Sequence, residues 1–121
     1  MKDDILKHLY DIREAALAVK NFVADKSLED YRGDELLSSA VERKLEIIGE
    51  SLNRLRRDDP SILSQIRDHR DIISFRNILA HGYNNIDERI VWGIIREDLD
   101  HLLEDVQKLL PHWEDDQPAK D

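Results

Sequence analysis

Residues 35–57, ELLSSAVERKLEIIGESLNRLRR, place an apolar side chain every three or four positions: Leu37, Val41, Leu45, Ile48, Leu52 and Leu55. That step follows the 3.6-residue turn of an α-helix and gathers the six side chains on one stripe. At 1.5 Å per residue the helix is roughly 35 Å long. Upstream, Ile5, Leu9, Ile12, Ala16, Val19 and Val23 keep the same step and predict a first helix over residues 4–25. Residues 26–33, KSLEDYRG, interrupt the stripe. There Ser27 suits the cap of a short turn, Gly33 the break, and Asp34 the N-cap of the long helix.

Downstream, Asp58-Asp59-Pro60-Ser61 ends the long helix, because proline cannot continue a helix but suits the first position of the next, with Asp59 as its N-cap. A short helix through Ile62, Leu63 and Ile66 follows, and then a helix over Asp71–Ala80 that Gly82 can end in the left-handed conformation. Asn85, with Glu88 three residues on, has the pattern of a capping box. It predicts a last long helix with the stripe Ile86, Ile90, Ile94, Leu99, Leu102, Val106 and Leu109, ending at Pro111. No stretch alternates with period two, so no strand is expected. The fold class is all-α, an up-and-down bundle of four to five helices. Residues 1–112 form a single helical domain and 113–121 a polar C-terminal tail. The apolar stripes are wider than one core requires: Leu6, Leu17, Phe22, Leu36, Ala40, Ile47, Val91, Ile95, Leu103 and Leu110 fall beside them. A second seam of this kind predicts a homodimer.

The 121 residues carry 18 Lys+Arg against 27 Asp+Glu, a formal charge of −9. With no cysteine, disulfides, Cys-ligated zinc and thiol catalysis are excluded. Charges interrupt every apolar run before the ~18 positions of a membrane span, and the N-terminus lacks the apolar core of a signal peptide, so a cytoplasmic protein with no membrane association is expected. The acidic balance argues against a general nucleic-acid binder, since phosphate binding rests on Lys and Arg. Any role on RNA must rest on local groups such as Arg67, Arg70 and Arg76.

Glu42, Glu46 and Glu50 share one face of the long helix, where they could ligate a divalent cation or form a solvated acidic stripe beside Arg43, Lys44 and Arg54. No two of the five histidines stand four apart, so no metal site and no cofactor are expected. Gly49, inside a helix at a cost of up to ~1 kcal/mol against alanine, implies close packing at Ile48-Gly49-Glu50. The stretch Arg76-Asn77-Ile78-Leu79-Ala80-His81-Gly82-Tyr83 gathers the groups of phosphodiester chemistry. An arginine fork holds phosphate, a histidine moves protons near neutral pH, and a tyrosine donates or accepts a hydrogen bond. Asn77 and His81, four apart, share a helix face, so the amide can orient the ring. Arg76 and His81 lie about 140° apart around the axis. One helix alone makes a poor site, whereas two copies across a symmetric interface can surround one phosphate. From spacing alone, Arg76 in an ordinary ion pair and His81 as a helix cap remain open.

Arg76-x4-His81-x-Tyr83 on a penultimate helix, with Val41-Glu42-Arg43, Ile48-Gly49-Glu50-Ser51 and Val91-Trp92, resembles the HepT-like toxins of the HEPN superfamily over residues 1–112. The resemblance implies a HEPN-like homodimer acting as the toxin of a type II/VII-like toxin–antitoxin system. It implies a metal-independent endoribonuclease with RNA as substrate and a minimal nucleotidyltransferase antitoxin as partner, the two forming a larger hetero-oligomer. Carried over, Arg76 and His81 are catalytic, Asn77 positions them, Glu50 supports them, and Tyr83 is the residue that the antitoxin AMPylates to block the cleft. The alternative is a non-catalytic helical subunit that binds or scaffolds a nucleotidyltransferase.

Overall fold

The computed structural model describes residues 2–73 and 87–110. Along these residues the helical elements are α1 (Asp3–Phe22), α2 (Leu28–Arg32), α3 (Glu35–Asp58), α4 (Pro60–Leu63), α5 (described over 69–73), α6 (Glu88–Gly93) and, after a π-helical turn at Ile94–Asp98, α7 (Leu99–Leu109). No strand occurs among the described residues. The fold is the expected all-α bundle. Whether residues 113–121 form a polar tail lies outside the described residues, as do the helix end at Gly82, Asn85 itself and the stripe position Ile86.

The caps of α3 and α4 are those the sequence predicts. Asp34 accepts from the Leu37 N–H, and Asp59 accepts from the Ile62 N–H with Pro60 in the first turn. The interruption at residues 26–33 is itself helical, opened by a reciprocal capping box between Ser27 and Asp30. α1 ends at Phe22, three residues short of expectation, although Val23 stays buried. α4 is also shorter than expected, ending at Leu63, while Ile66 is buried from the turn that follows.

α1 and α3 form the main pair, and α7 packs on α1. They run up and down. His8 near the start of α1 donates through Nε2 to Asp58 at the end of α3 at 3.0 Å, and Lys20 near the end of α1 pairs with Asp100 at the start of α7. Ile12, Val19, Val41, Ile48, Leu52, Leu55, Leu99 and Leu102 fill the core between them with no exposure above 1%. Gly49 is buried with them.

Three expectations for the last helix are overturned. Its N-cap is Asp87, whose carboxylate accepts from the Arg89 N–H. Glu88 accepts from Arg32 Nε of α2 at 3.0 Å. The core takes Val91 (0% exposed) and leaves Ile90 54% exposed, and at the far end Leu110 (2%) is more deeply buried than Leu109. Val91, Ile95 and Leu110, assigned from spacing to a second seam, therefore belong to this chain's own core. Leu36 (82% exposed) and Phe22 (36%) do remain on the surface. The helix is also not continuous: the stripe steps by five from Ile94 to Leu99, and the π turn absorbs the extra residue.

Candidate functional site

The residues expected to carry chemistry, Arg76, Asn77, His81 and Tyr83, lie outside the described residues, which flank them on both sides. The N-terminal flank is tied to α7. Arg67 donates to Asp105 three times: its backbone N–H and Nε reach Oδ2 at 2.9 and 3.0 Å, and Nη2 reaches Oδ1 at 3.0 Å. Asp105 is only 8% exposed, and these bonds hold its carboxyl below the usual carboxylate range. Arg67 is thereby committed to a structural pair, with Glu104 at 3.2 Å as a further partner, and is not the open RNA-contacting group expected of it. Asp68 follows with φ 62, a left-handed turn that reverses the chain, and its carboxylate accepts from His101 Nδ1 at 2.9 Å. Helix α5 then begins at residue 69, two positions earlier than expected, and sets Ile72 and Ile73 into the core.

The C-terminal flank is fixed by different means. Besides the Asp87 cap and the Arg32–Glu88 pair, Trp92 lies between the Tyr31 ring, 5.7 Å away between centroids, and the Arg96 guanidinium, 4.8 Å from its own ring. Arg96 Nη2 also donates to the Lys26 carbonyl at 2.9 Å. Arg76 is three residues from the buried Ile73, and Tyr83 four residues before Asp87. At ~3.5 Å per residue neither α-carbon can stand more than about 14 Å from its anchor.

On α3 the glutamate stripe separates by environment. Glu46 pairs with Arg43 at 3.3 Å, and Glu50 is half-buried and engaged. Burial, and then the charges of Glu46 and Glu88, push the Glu42 carboxyl above its ordinary range. Among the described residues, no group of three His, Asp or Glu side chains is arranged to hold a metal ion. Burial also raises Tyr31, with help from Glu42 and Glu88, so its phenol stays neutral.

Next to the start of α5 lies a groove of about 610 Å³ between the end of α3, the start of α4 and α5 itself. Arg56, Ser64, His69 and Arg70 line it with Pro60 and Ile73. Of these, the sequence points to Arg70 but not to Arg56 or His69. Arg56 reads as one of several basic residues ending a helix, and only the fold brings it back beside residue 69.

The model of the family described as "Ribonuclease HepT-like" matches residues 12–109, a span that includes both flanks and the Arg76–Tyr83 stretch. The chain belongs to the HepT-like family. The match brings with it the HEPN-like character of the all-α bundle. Among similar proteins is a "Putative RNase" of Methanocaldococcus jannaschii, 32% identical over 106 residues that make up 88% of this chain and 96% of that one. A "Probable ribonuclease HepT" of Thermococcus cleftensis is 32% identical over 109 residues, 90% of this chain and 98% of that one. A "Putative RNase" of Caldanaerobacter subterraneus subsp. tengcongensis is 32% identical over 84 residues, 69% and 74% of the two chains. No solved structure matches. No helix among the described residues of this HepT-like chain is long and apolar enough to cross a membrane.

Proposed function

We propose that this HepT-like chain is the toxin of a toxin–antitoxin pair, a cytoplasmic, metal-independent endoribonuclease acting as a homodimer. The observation that carries the reading is the family match over residues 12–109, which spans the Arg76-x4-His81-x-Tyr83 motif, with relatives described as RNases. In this reading Arg76 binds and polarises the phosphate, Asn77 orients the His81 ring, and Glu50 supports the pair from α3. The RNA's 2′-hydroxyl gives up its proton and attacks phosphorus, the bond to the leaving 5′-oxygen breaks, and a proton is delivered to that oxygen. His81 performs one of these two transfers, and the products are a cyclic phosphate and a 5′-hydroxyl. The exposed Leu36 and Ile90 supply apolar surface of the kind a second copy covers.

A minimal nucleotidyltransferase antitoxin is the proposed partner. It transfers AMP to the Tyr83 hydroxyl with release of pyrophosphate from ATP, and the added phosphate and bulk block the cleft beside Arg76. The charge of −9 suits a partner with a basic surface.

The test is cleavage of a mixed RNA pool in chelator by unmodified wild type, Arg76→Ala and His81→Ala, with analysis of the product ends. Cyclic phosphate ends from wild type, lost in both variants while helicity persists, are the expected result. Equal cleavage by the variants, or none by wild type, overturns it and leaves the non-catalytic scaffold.

A further inference from the structure

We propose that the groove framed by Arg56, Ser64, His69 and Arg70 binds backbone phosphates of the RNA strand to one side of the bond to be cleaved; the assignment of RNA rests on the ribonuclease reading of the chain. Two guanidiniums, unpaired among the described residues and lining one cavity, set this groove apart. Arg32, Arg43, Arg57, Arg67 and Arg89 each pair with a carboxylate: Glu88, Glu46, Asp58, Asp105 and Asp87 respectively. Arg56 and Arg70 face the same cavity and make no ion pair or hydrogen bond with any described residue, in a chain holding 27 acidic side chains. No carboxylate is among the described residues lining the groove.

Their field is felt locally. After burial, the charges of Arg70 and Arg56 are what lower the affinity of His69 for a proton. The ring is therefore neutral near pH 7, able to donate to a phosphate oxygen or lie against a base. Its Nδ1 is buried without a hydrogen-bond partner among the described residues. Ser64 also lines the groove, its hydroxyl donating to the Ser61 carbonyl at 2.7 Å. A volume of about 610 Å³ accommodates a phosphate with its sugar, and Leu63 and Ile73 give the floor an apolar part.

Position completes the argument. Ile73 lines the groove and stands three residues before Arg76, so chain length alone keeps the two α-carbons within about 11 Å. In the proposal, a strand whose phosphate meets Arg76 lays a neighbouring phosphate against Arg70 and Arg56. This resolves a difficulty of the charge balance: a chain at −9 cannot gather RNA with its overall field, but two unpaired guanidiniums in one groove can hold it locally.

The experiment is fluorescence anisotropy of the full chain with a 2′-O-methyl RNA oligonucleotide, which cannot be cleaved through its 2′ position, across a salt series. Arg56→Gln/Arg70→Gln is compared with wild type and with Lys26→Gln/Arg43→Gln, which removes the same charge elsewhere. Binding by the groove variant should weaken tenfold or more, and the slope of log affinity against log salt should shrink by about 0.7 for each phosphate no longer neutralised. Unchanged affinity and slope, an equal loss in the control variant, or a changed oligomeric state in the groove variant each overturn the proposal. Turnover of cleavable RNA separates this idea from the one beneath it. If Arg76→Ala abolishes cleavage and the groove variant keeps the wild-type KM, the groove fails and the ribonuclease stands. If wild type never cleaves but the groove variant loses binding, the ribonuclease fails and the groove survives as an RNA-phosphate site.

Discussion

Deleting Glu97 should leave the protein folded, whereas deleting Glu104, two turns further on, should unfold it. Glu97 is exposed and sits inside the π turn Ile94–Asp98. A π turn is one residue inserted into an α-helix, so removing one residue there restores the ordinary turn and keeps both flanks in phase. Val91 before it, Ile94 at its first position, and Leu99, Leu102 and Val106 after it keep their places in the core. Deleting Glu104 has no such slack to draw on and rotates everything beyond it by about 100°. Val106 (0% exposed) and Leu110 (2%) then leave the core. At ~1.5–3 kcal/mol for each buried aliphatic side chain, that loses ~3–6 kcal/mol. Displacing Asp105 from its three bonds with Arg67 adds ~1.5–3 kcal/mol. The sum of ~5–9 kcal/mol reaches the whole stability of a typical domain, ~5–15 kcal/mol. Urea unfolding followed by circular dichroism reads both variants. The reasoning is refuted if the Glu97 deletion costs more than ~3 kcal/mol, or if the Glu104 deletion is the better tolerated.

Further outcomes follow from other parts of the bundle. Asp105→Ala should cost ~2 kcal/mol and lower Tm by ~5–10 °C, with the half-exposed Arg67 guanidinium recovering part of its loss in water; a shift under ~2 °C contradicts the role given to this pair. Acid should weaken the fold. Asp58, held down at about 2 by Arg57 and then His8, and Asp105, lowered by Arg67, bind protons less readily folded than unfolded. Their contribution is therefore complete above the unfolded carboxyl range and is lost as pH falls from ~4 towards 2. Denaturant midpoints that do not fall across that window in wild type, or that fall as far in Asp58→Asn, would count against it. Val91→Ala should cost roughly 1.5–3 kcal/mol and Ile90→Ser less than ~0.5 kcal/mol in the monomer, measured by thermal unfolding; the reverse order would place the core on the wrong face of α6.

Residue spacing and end chemistry act over one or two turns, so features of that range are legible in the order of residues alone. The stripe over residues 35–57, the Asp34 cap and the Asp59-Pro60 start are local arrangements that need no partner. The five-residue step from Ile94 to Leu99 is equally visible, although a helix drawn straight through it passes over its meaning. The Arg76–Tyr83 motif, too, is a matter of sequence, and it lies within the span that joins the chain to its family. What spacing cannot decide is any choice between adjacent apolar residues. Ile90 and Val91 are about 100° apart on one helix, and which of them turns inward depends on where neighbouring helices lie.

The sequence by itself determined the helices, most of their caps and the chemistry that the motif offers, because those depend on side chains within a few positions of one another. The tertiary structure alone decided the rest. Arg67 and Asp105 are 38 positions apart, and only their meeting turns an apparently free cation into a structural tie. Arg32 meets Glu88 across 56 positions. Arg56 and Arg70 become one positive groove only when α5 folds back beside the end of α3. Charge acts through space, and a linear reading measures distance along the chain.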